Sequence, residues 1–361
     1  MRRLTWVLAI IMIVTLGLTG CGKKDAASVV NDLNDVSDKL QSKDGSYQGT
    51  GLMTLYTGEQ PQEYKVEVWY KNPSYYRISL ANVQKDITQI VLRNDEGVFV
   101  LTPSLNKSFR FQSDWPDKQG QVYLYQTLLR GIATDNNRQL AEEGNNYVFE
   151  VAANYQSPAL VRQKIWLDKK TYEPKQVQVS DSEAKVVVDV KFDSFAFDTD
   201  FTKDSFDMQK NMTAGAASES TVAEVDENGN PVVLPEGQEA AEPQLAAELG
   251  DFGVIEPLYI PAGVEFKDYH KIEGSKDHAV LIRYDGLYQY TLMEARPLDR
   301  ATALAPGTLV DLGFTAGALT GDELQTLTWM SEGIEYRITS ANLPLTEMMQ
   351  IAASMEGQSG K

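Results

Sequence analysis

The sequence predicts a mainly β protein with a few helices. It reads as a curved antiparallel half-barrel with lid helices against its inner face, followed by a small C-terminal α+β domain. Three observations predict this. From residue 46 to 114, apolar and polar residues alternate with a period of two, in short runs separated by Gly, Pro, Asn and Asp turns. Two stretches, 27–40 and 122–132, instead repeat apolar residues at spacings of three and four. A composition break at 211–250 separates these elements from a second group of short strands.

In chain order, the stretch 27–40 places Val29, Val30, Leu33, Val36 and Leu40 on one helical face, and Lys43-Asp44-Gly45 stops it. Strands follow at 47–57, 62–71, 75–80, 87–93, 98–102 and 108–112, divided by turns such as Gly58-Glu59-Gln60-Pro61 and Asn94-Asp95-Glu96-Gly97. Val122, Tyr125, Leu128, Leu129 and Ile132 form the apolar stripe of a second helix. Strands return at 147–152, 161–168, 175–179 and 185–195. A sheet of about ten strands accumulates twist and curls. Helices against its concave face are the economical cover.

From Asn211 to Phe266 there is no Lys or Arg, and 211–250 is rich in Ala, Ser, Glu, Gly and Pro; this predicts an acidic flexible linker. The domain at 251–361 has expected strands at 259–264, 280–285, 287–294, 309–314, 324–330 and 335–339. A helix at 344–355 closes it.

The chain has 361 residues and a net charge of −18. Phosphate binding needs basic surface, so nucleic acid is an unsuitable partner. The N-terminus carries Arg2-Arg3, an apolar run at 4–18, and small residues before Cys21. That run is short of the ~20 residues a bilayer span needs. Cys21 is the chain's only cysteine, so it has no intramolecular partner. Leu18-Thr19-Gly20-Cys21-Gly22 resembles the bacterial lipobox. The resemblance implies a signal peptide at 1–20, a lipidated tether at 21–26 and a diacylglyceryl-modified Cys21. The protein would then sit on the extracytoplasmic face of the cell membrane.

Further residues carry a second resemblance. Trp166-Leu167-Asp168 runs to Pro174 as a Trp-x-Asp-x5-Pro hairpin, followed by the Val-rich stretch 186–195; Lys71-Asn72-Pro73 runs to Arg77. These are similar to motifs of the LolA/LolB superfamily of lipoprotein carriers and receptors. With the lipobox, the chain resembles sporulation-associated lipoproteins of spore-forming Gram-positive bacteria. The resemblance implies an open half-barrel whose lid helices cover an apolar cavity for acyl chains, and a role in sporulation or germination. Pro261, Gly263, Tyr284, Trp329, Gly333 and Tyr336 resemble a small domain of sporulation and anti-sigma-related proteins, which implies protein contact.

Catalytic chemistry is sparse. The two histidines, His270 and His278, lack further ligands in register, so no metal is expected. Asp189 and Asp193 share a strand face by spacing, but among lysines they read as a wet surface. No nucleophile elbow, zincin motif or phosphate loop is present. No enzyme activity and no cofactor are expected. The residues expected to line the groove are Tyr64, Val66, Val68, Tyr70, Tyr76, Ile78, Leu80, Phe99, Phe109, Phe149, Ile165, Val188 and Val190. Their alternation fits a helix-filled core and a ligand cavity equally. Two functions follow: a lipid- or acylated-ligand-binding lipoprotein, or an adaptor that docks a cell-wall or cortex enzyme. For the adaptor, Phe111, Trp115 and Trp166 are the expected apolar patch.

Overall fold

The computed structural model describes residues 24–56, 60–84, 87–105, 107–111, 121–153, 155, 160–218, 254–272, 279–296, 303–305, 307–331 and 333–356. Cys21, Trp115 and His278, and the side chains of Phe109 and Phe111, lie outside what is described.

Period-two alternation builds β1 (Ser46–Leu55), β2 (Gln62–Lys71), β3 (Tyr75–Asn82), β4 (Thr88–Asn94), β5 (Gly97–Thr102) and β6 (Lys107–Phe111). After a helix come β7 (Gln139–Glu143), β8 (Asn146–Ala152), β9 (Arg162–Asp168), β10 (Pro174–Ser180) and β11 (Val186–Phe197). Successive strands pair as antiparallel hairpins, and β1 pairs with β11, so the sheet order is β6-β5-β4-β3-β2-β1-β11-β10-β9-β8-β7. The β1–β11 register shifts at Thr50/Gly51 and passes over Asp193. A Cβ at Gly51 would lie 2.2 Å from the Lys191 carbonyl oxygen, so this close approach requires glycine. The strand β7 escapes the period-two reading because Gln139 to Glu143 has no apolar alternation.

Two helices cover the concave face: α1 (Ala26–Leu40) and α2 (Tyr125–Thr134). Asp25 caps α1 by accepting the Ser28 N–H at 2.8 Å. Val29, Val30, Leu33 and Leu40 of α1, with Leu128, Leu129 and Ile132 of α2, join one core with the inner residues of the sheet. Both helices are fastened to the hairpin between β9 and β10. The Tyr172 hydroxyl donates to Asp32 on α1 at 2.5 Å, and the Tyr172 carbonyl accepts the Tyr125 hydroxyl of α2 at 2.8 Å. Asp168 shapes that hairpin by accepting the N–H groups of Lys170 and Thr171.

A third helix, α3 (Met208–Ser218), runs into the stretch read as linker. Its small residues Ala214, Gly215 and Ala216 had hidden the helix. It starts where Asp207 accepts the Lys210 N–H at 2.8 Å. Met208 and Met212, with Phe201 and Phe206, cover Ile90, Leu92, Phe99 and Leu101 on the convex face.

The C-terminal part forms a second antiparallel sheet. Its strands are β12 (Val264–Lys271), β13 (Val280–Gly286), β14 (Tyr290–Ala295), β16 (Thr308–Asp311), β17 (Ala316–Thr320), β18 (Gln325–Ser331) and β19 (Ile334–Ser340). The order is β12-β13-β14-β19-β18-β17-β16. A short β15 (Ala303–Ala305) leaves this sheet and pairs in parallel with β6 of the first. The strand expected at 259–264 is replaced by a non-strand segment and a turn at Gly263 (φ +77°); β12 starts only at Val264. The helix α4 (Leu345–Met355) packs Met348, Ile351, Ala352 and Met355 inward.

Leu128 is fully buried between α2 and the sheet. Leu128→Ala is expected to cost about 2–5 kcal/mol. Urea denaturation checks this, and an unchanged midpoint would mean that α2 does not fill the groove.

Candidate functional site: a cavity between the two sheets

One end of the groove is plugged with aromatic rings. Tyr47 stacks on Phe195 at 5.1 Å and lies 5.3 Å from Tyr70, which lies 5.0 Å from Tyr76. The Tyr47 hydroxyl donates to Gln126 at 2.7 Å and so holds the first turn of α2. Val66, Val68, Ile78, Phe149, Ile165 and Val190 are buried beneath α1 and α2 in the same core. Along most of its length the groove is thus filled by the protein's own helices.

The other end meets the C-terminal domain. The Tyr64 and Ser331 hydroxyls both donate to the buried carboxylate of Glu356, just past α4, the latter at 2.8 Å. Thr315 donates to Gln89, whose amide nitrogen donates to the Met330 carbonyl at 3.4 Å. Apolar residues of both sheets form a continuous cluster across this seam.

Packing there is incomplete and leaves a cavity of about 320 Å³. Its half-barrel wall includes Leu55 at the end of β1, Val122 and Tyr123 before α2, and Val188 at the start of β11. Its other wall is Leu312, Gly313 and Phe314, between β16 and β17, with Met349 and Ala353 of α4. Lys185 and Asp181 stand at its exposed rim, and Asp311 lines its interior. A cavity of ~300–1,000 Å³ with few polar groups is the usual form of a small-molecule site.

Of the described residues expected to line a groove, Val188 alone borders this cavity. Tyr64 and Leu80 border a crevice of about 30 Å³ on the same seam, against Phe314. Val66, Val68, Tyr70, Ile78, Phe149, Ile165 and Val190 are buried core, and Tyr76 is partly buried against it. Phe99 is a correction: it faces the convex side, under Phe206 and Met212. Val98 and Val100 take the inner face of β5, so the assumed phase of that strand was off by one residue. Tyr123, Leu312, Phe314 and Met349 were missed. They come from a turn, a helix and a pre-helical segment, and a local period says which residues are buried but not which element of the other domain they meet.

Asp189 and Asp193 do not form a pair. Asp189 is buried and accepts from Gln176 at 2.7 Å, while Asp193 sits exposed at the bulge. His270 lies near Arg283 and Asp268 on the surface of the second sheet. Among the described residues, no group of three or more His, Cys, Asp or Glu could hold a metal ion. Trp166 is half-buried and donates to Glu143 at 2.9 Å, so it is no free patch. Among the described residues, no helix is long and apolar enough to cross a membrane.

Two carboxyls of the C-terminal domain are displaced by burial, of which only Asp311 lines the cavity. Desolvation pushes Asp311 up to about 7, opposed by one N–H from Gly313. Desolvation also pushes Glu294 of β14 up to about 8, opposed by the Ile255 N–H at 3.2 Å. The other oxygen of Glu294 has no hydrogen bond among the described residues.

The model of the Sporulation protein YdcC-like family matches residues 1–206. Sporulation protein YdcC of Bacillus subtilis (strain 168) is 36% identical over 354 residues, covering 97% of this chain and 96% of that protein. The chain belongs to the Sporulation protein YdcC-like family. Among solved structures, the Pseudomonas aeruginosa MucA/MucB complex is 14% identical, with coverage of 90% of this chain and 98% of that chain and a TM-score of 0.31. The LolA superfamily protein NE2245 from Nitrosomonas europaea is 12% identical, with coverage of 50% and 98% and a TM-score of 0.27.

Two outcomes are expected. Glu356→Ala removes the acceptor of two hydroxyls at the seam and should destabilise the protein by about 1–3 kcal/mol in chemical denaturation. Glu294 holds its proton in the folded state between its ordinary value of 4.5 and about 8, so wild-type stability from this group is full below 4.5 and falls as pH rises to 8. Glu294→Gln removes that loss. Its melting temperature relative to wild type should therefore climb between pH 4.5 and 8 and level off above.

Proposed function

We propose that this chain is an extracytoplasmic lipoprotein, anchored through a diacylglyceryl-modified Cys21, that binds a lipid or acylated ligand and serves in sporulation. The carrying observation is the apolar cavity of about 320 Å³ between the half-barrel and the C-terminal domain. It lies at the mouth of the groove, where Leu55, Val188, Phe314 and Met349 leave space that no side chain among the described residues fills. Each methylene of a bound chain withdrawn from water would contribute about 0.8 kcal/mol. The family relationship supports the sporulation setting, and the lipobox supports the anchor.

A second reading, an adaptor for a cell-wall or cortex enzyme, is favoured by a different surface. The edge strand β12 and its surroundings leave Leu258, Phe266, Tyr269 and Leu287 exposed, each at 46% or more. Exposed apolar side chains beside an unpaired edge are the form of a protein contact. Neither reading involves catalysis.

Binding of the uncharged probe N-phenyl-1-naphthylamine tests the first reading. Wild-type protein should enhance its fluorescence saturably at about one site. Ala353→Trp, which fills the cavity from α4, should abolish that enhancement while leaving the circular dichroism spectrum unchanged. Equal enhancement in both proteins would place the probe elsewhere and remove the cavity from the account.

A further inference from the structure

We propose that the cavity selects a ligand whose polar head donates hydrogen bonds and carries no negative charge, with Asp311 and Tyr123 as its specificity-determining residues. This rests on the cavity being the binding site.

Hydrogen-bond accounting identifies the two residues. Of the polar lining groups, Tyr56 is exposed and Gln350 half-buried, and three others are already engaged with the protein. The Tyr155 hydroxyl donates to Gln163 at 2.7 Å, the Tyr259 hydroxyl to Glu347 at 2.7 Å, and the Ser354 hydroxyl to the Ile351 carbonyl at 2.8 Å. Asp311 is different. Its carboxyl accepts one N–H, from Gly313 at 2.9 Å, and has no ion-pair partner among the described residues. The side chain is enclosed by protein yet keeps accessible surface, which faces the cavity. Tyr123 is 2% exposed, lines the same space and has no hydrogen bond among the described residues. Its hydroxyl lies close enough to feel the charge of Asp311.

An acceptor-rich carboxyl and a free phenol therefore converge in a mostly apolar space. A buried carboxylate without a cation is costly, and so is a buried hydroxyl without a partner. A hydroxyl head satisfies both, donating to Asp311 while its oxygen accepts from Tyr123; an ammonium head satisfies Asp311 alone. A carboxylate or phosphate head would meet Asp311 as a like charge in low dielectric. The other titratable groups lining the cavity are Tyr155 and Tyr259, the exposed Tyr56, and at the rim Asp181 and Lys185. Asp181 accepts the Lys185 N–H at 2.9 Å as part of the turn, and the Lys185 side chain is exposed and screened by water.

Competition against N-phenyl-1-naphthylamine with three amphiphiles of one chain length tests the proposal: decylamine, 1-decanol and decanoate, below their micelle concentrations. At pH 8, decylamine and decanol should each compete at least about tenfold better than decanoate. At pH 5.5, where Asp311 holds its proton, the disadvantage of decanoate should shrink. Asp311→Asn keeps the acceptor for the Gly313 N–H and should bring decanoate within about threefold of decanol at pH 8. Lys185→Gln should leave the ranking unchanged. If decanoate competes best in wild type and loses that advantage in Lys185→Gln, the head sits at the rim and the proposal fails while the cavity stands. If the probe binds, with no ranking among the three, Asp311 has no selective role. If neither probe nor amphiphile binds the folded wild-type protein, the cavity reading and this proposal fall together.

Discussion

The concave face of the first sheet must be covered, and the rest of the structure follows from that constraint. The strands curl into an open half-barrel whose two edges do not meet, so one long apolar face is presented on the inside. Two helices cover most of it, pinned to the sheet by Tyr47, Tyr125 and Tyr172. They do not reach the end bounded by Leu55, Tyr64 and Val188. The C-terminal domain covers that end with Phe314 and α4, and the two domains share one core there. At this seam the side chains of the two domains do not fill the space between them, and a cavity remains. The cavity is thus a consequence of how the groove is closed.

Among the described residues, most of the buried carboxyls lie in the second domain. Glu294, Asp311 and Glu356 are three carboxyls with distinct surroundings. Glu356 is satisfied by two hydroxyls, one from each domain, and acts as a latch. Glu294 accepts the N–H of Ile255 and so fixes the segment that enters the domain. Asp311 has one backbone donor and an apolar cavity in front of it. Glu356 accounts for its own burial through contacts that hold the two domains together. Glu294 and Asp311 each accept one backbone N–H, and of these two only Asp311 lines the cavity, where a ligand can reach it.

Much of the architecture was legible in the sequence because the physical signal was periodic. The alternation Tyr64, Val66, Val68, Tyr70 places these side chains inside, and they are buried there. The stripe Val29, Val30, Leu33 defines the buried face of α1. Legibility failed where period and burial part. In β5 both faces are buried, because α3 and Phe206 cover the outside, so alternation could not tell Phe99 from Val98. The strand β12 carries charged and aromatic residues at a sheet edge and does not alternate. Above all, no local pattern says that Phe314 and Met349 lie against Leu55 and Val188. That contact depends on the docking of two separately patterned domains, and the site it creates was therefore invisible before the structure.

The most direct measurement is native mass spectrometry of the gently extracted protein, comparing wild type with Ala353→Trp. The account predicts a bound species in the single-chain lipid range at one per protein, removed by organic extraction and absent from Ala353→Trp. The same species retained at equal occupancy in the variant would place the ligand outside the cavity and contradict the account.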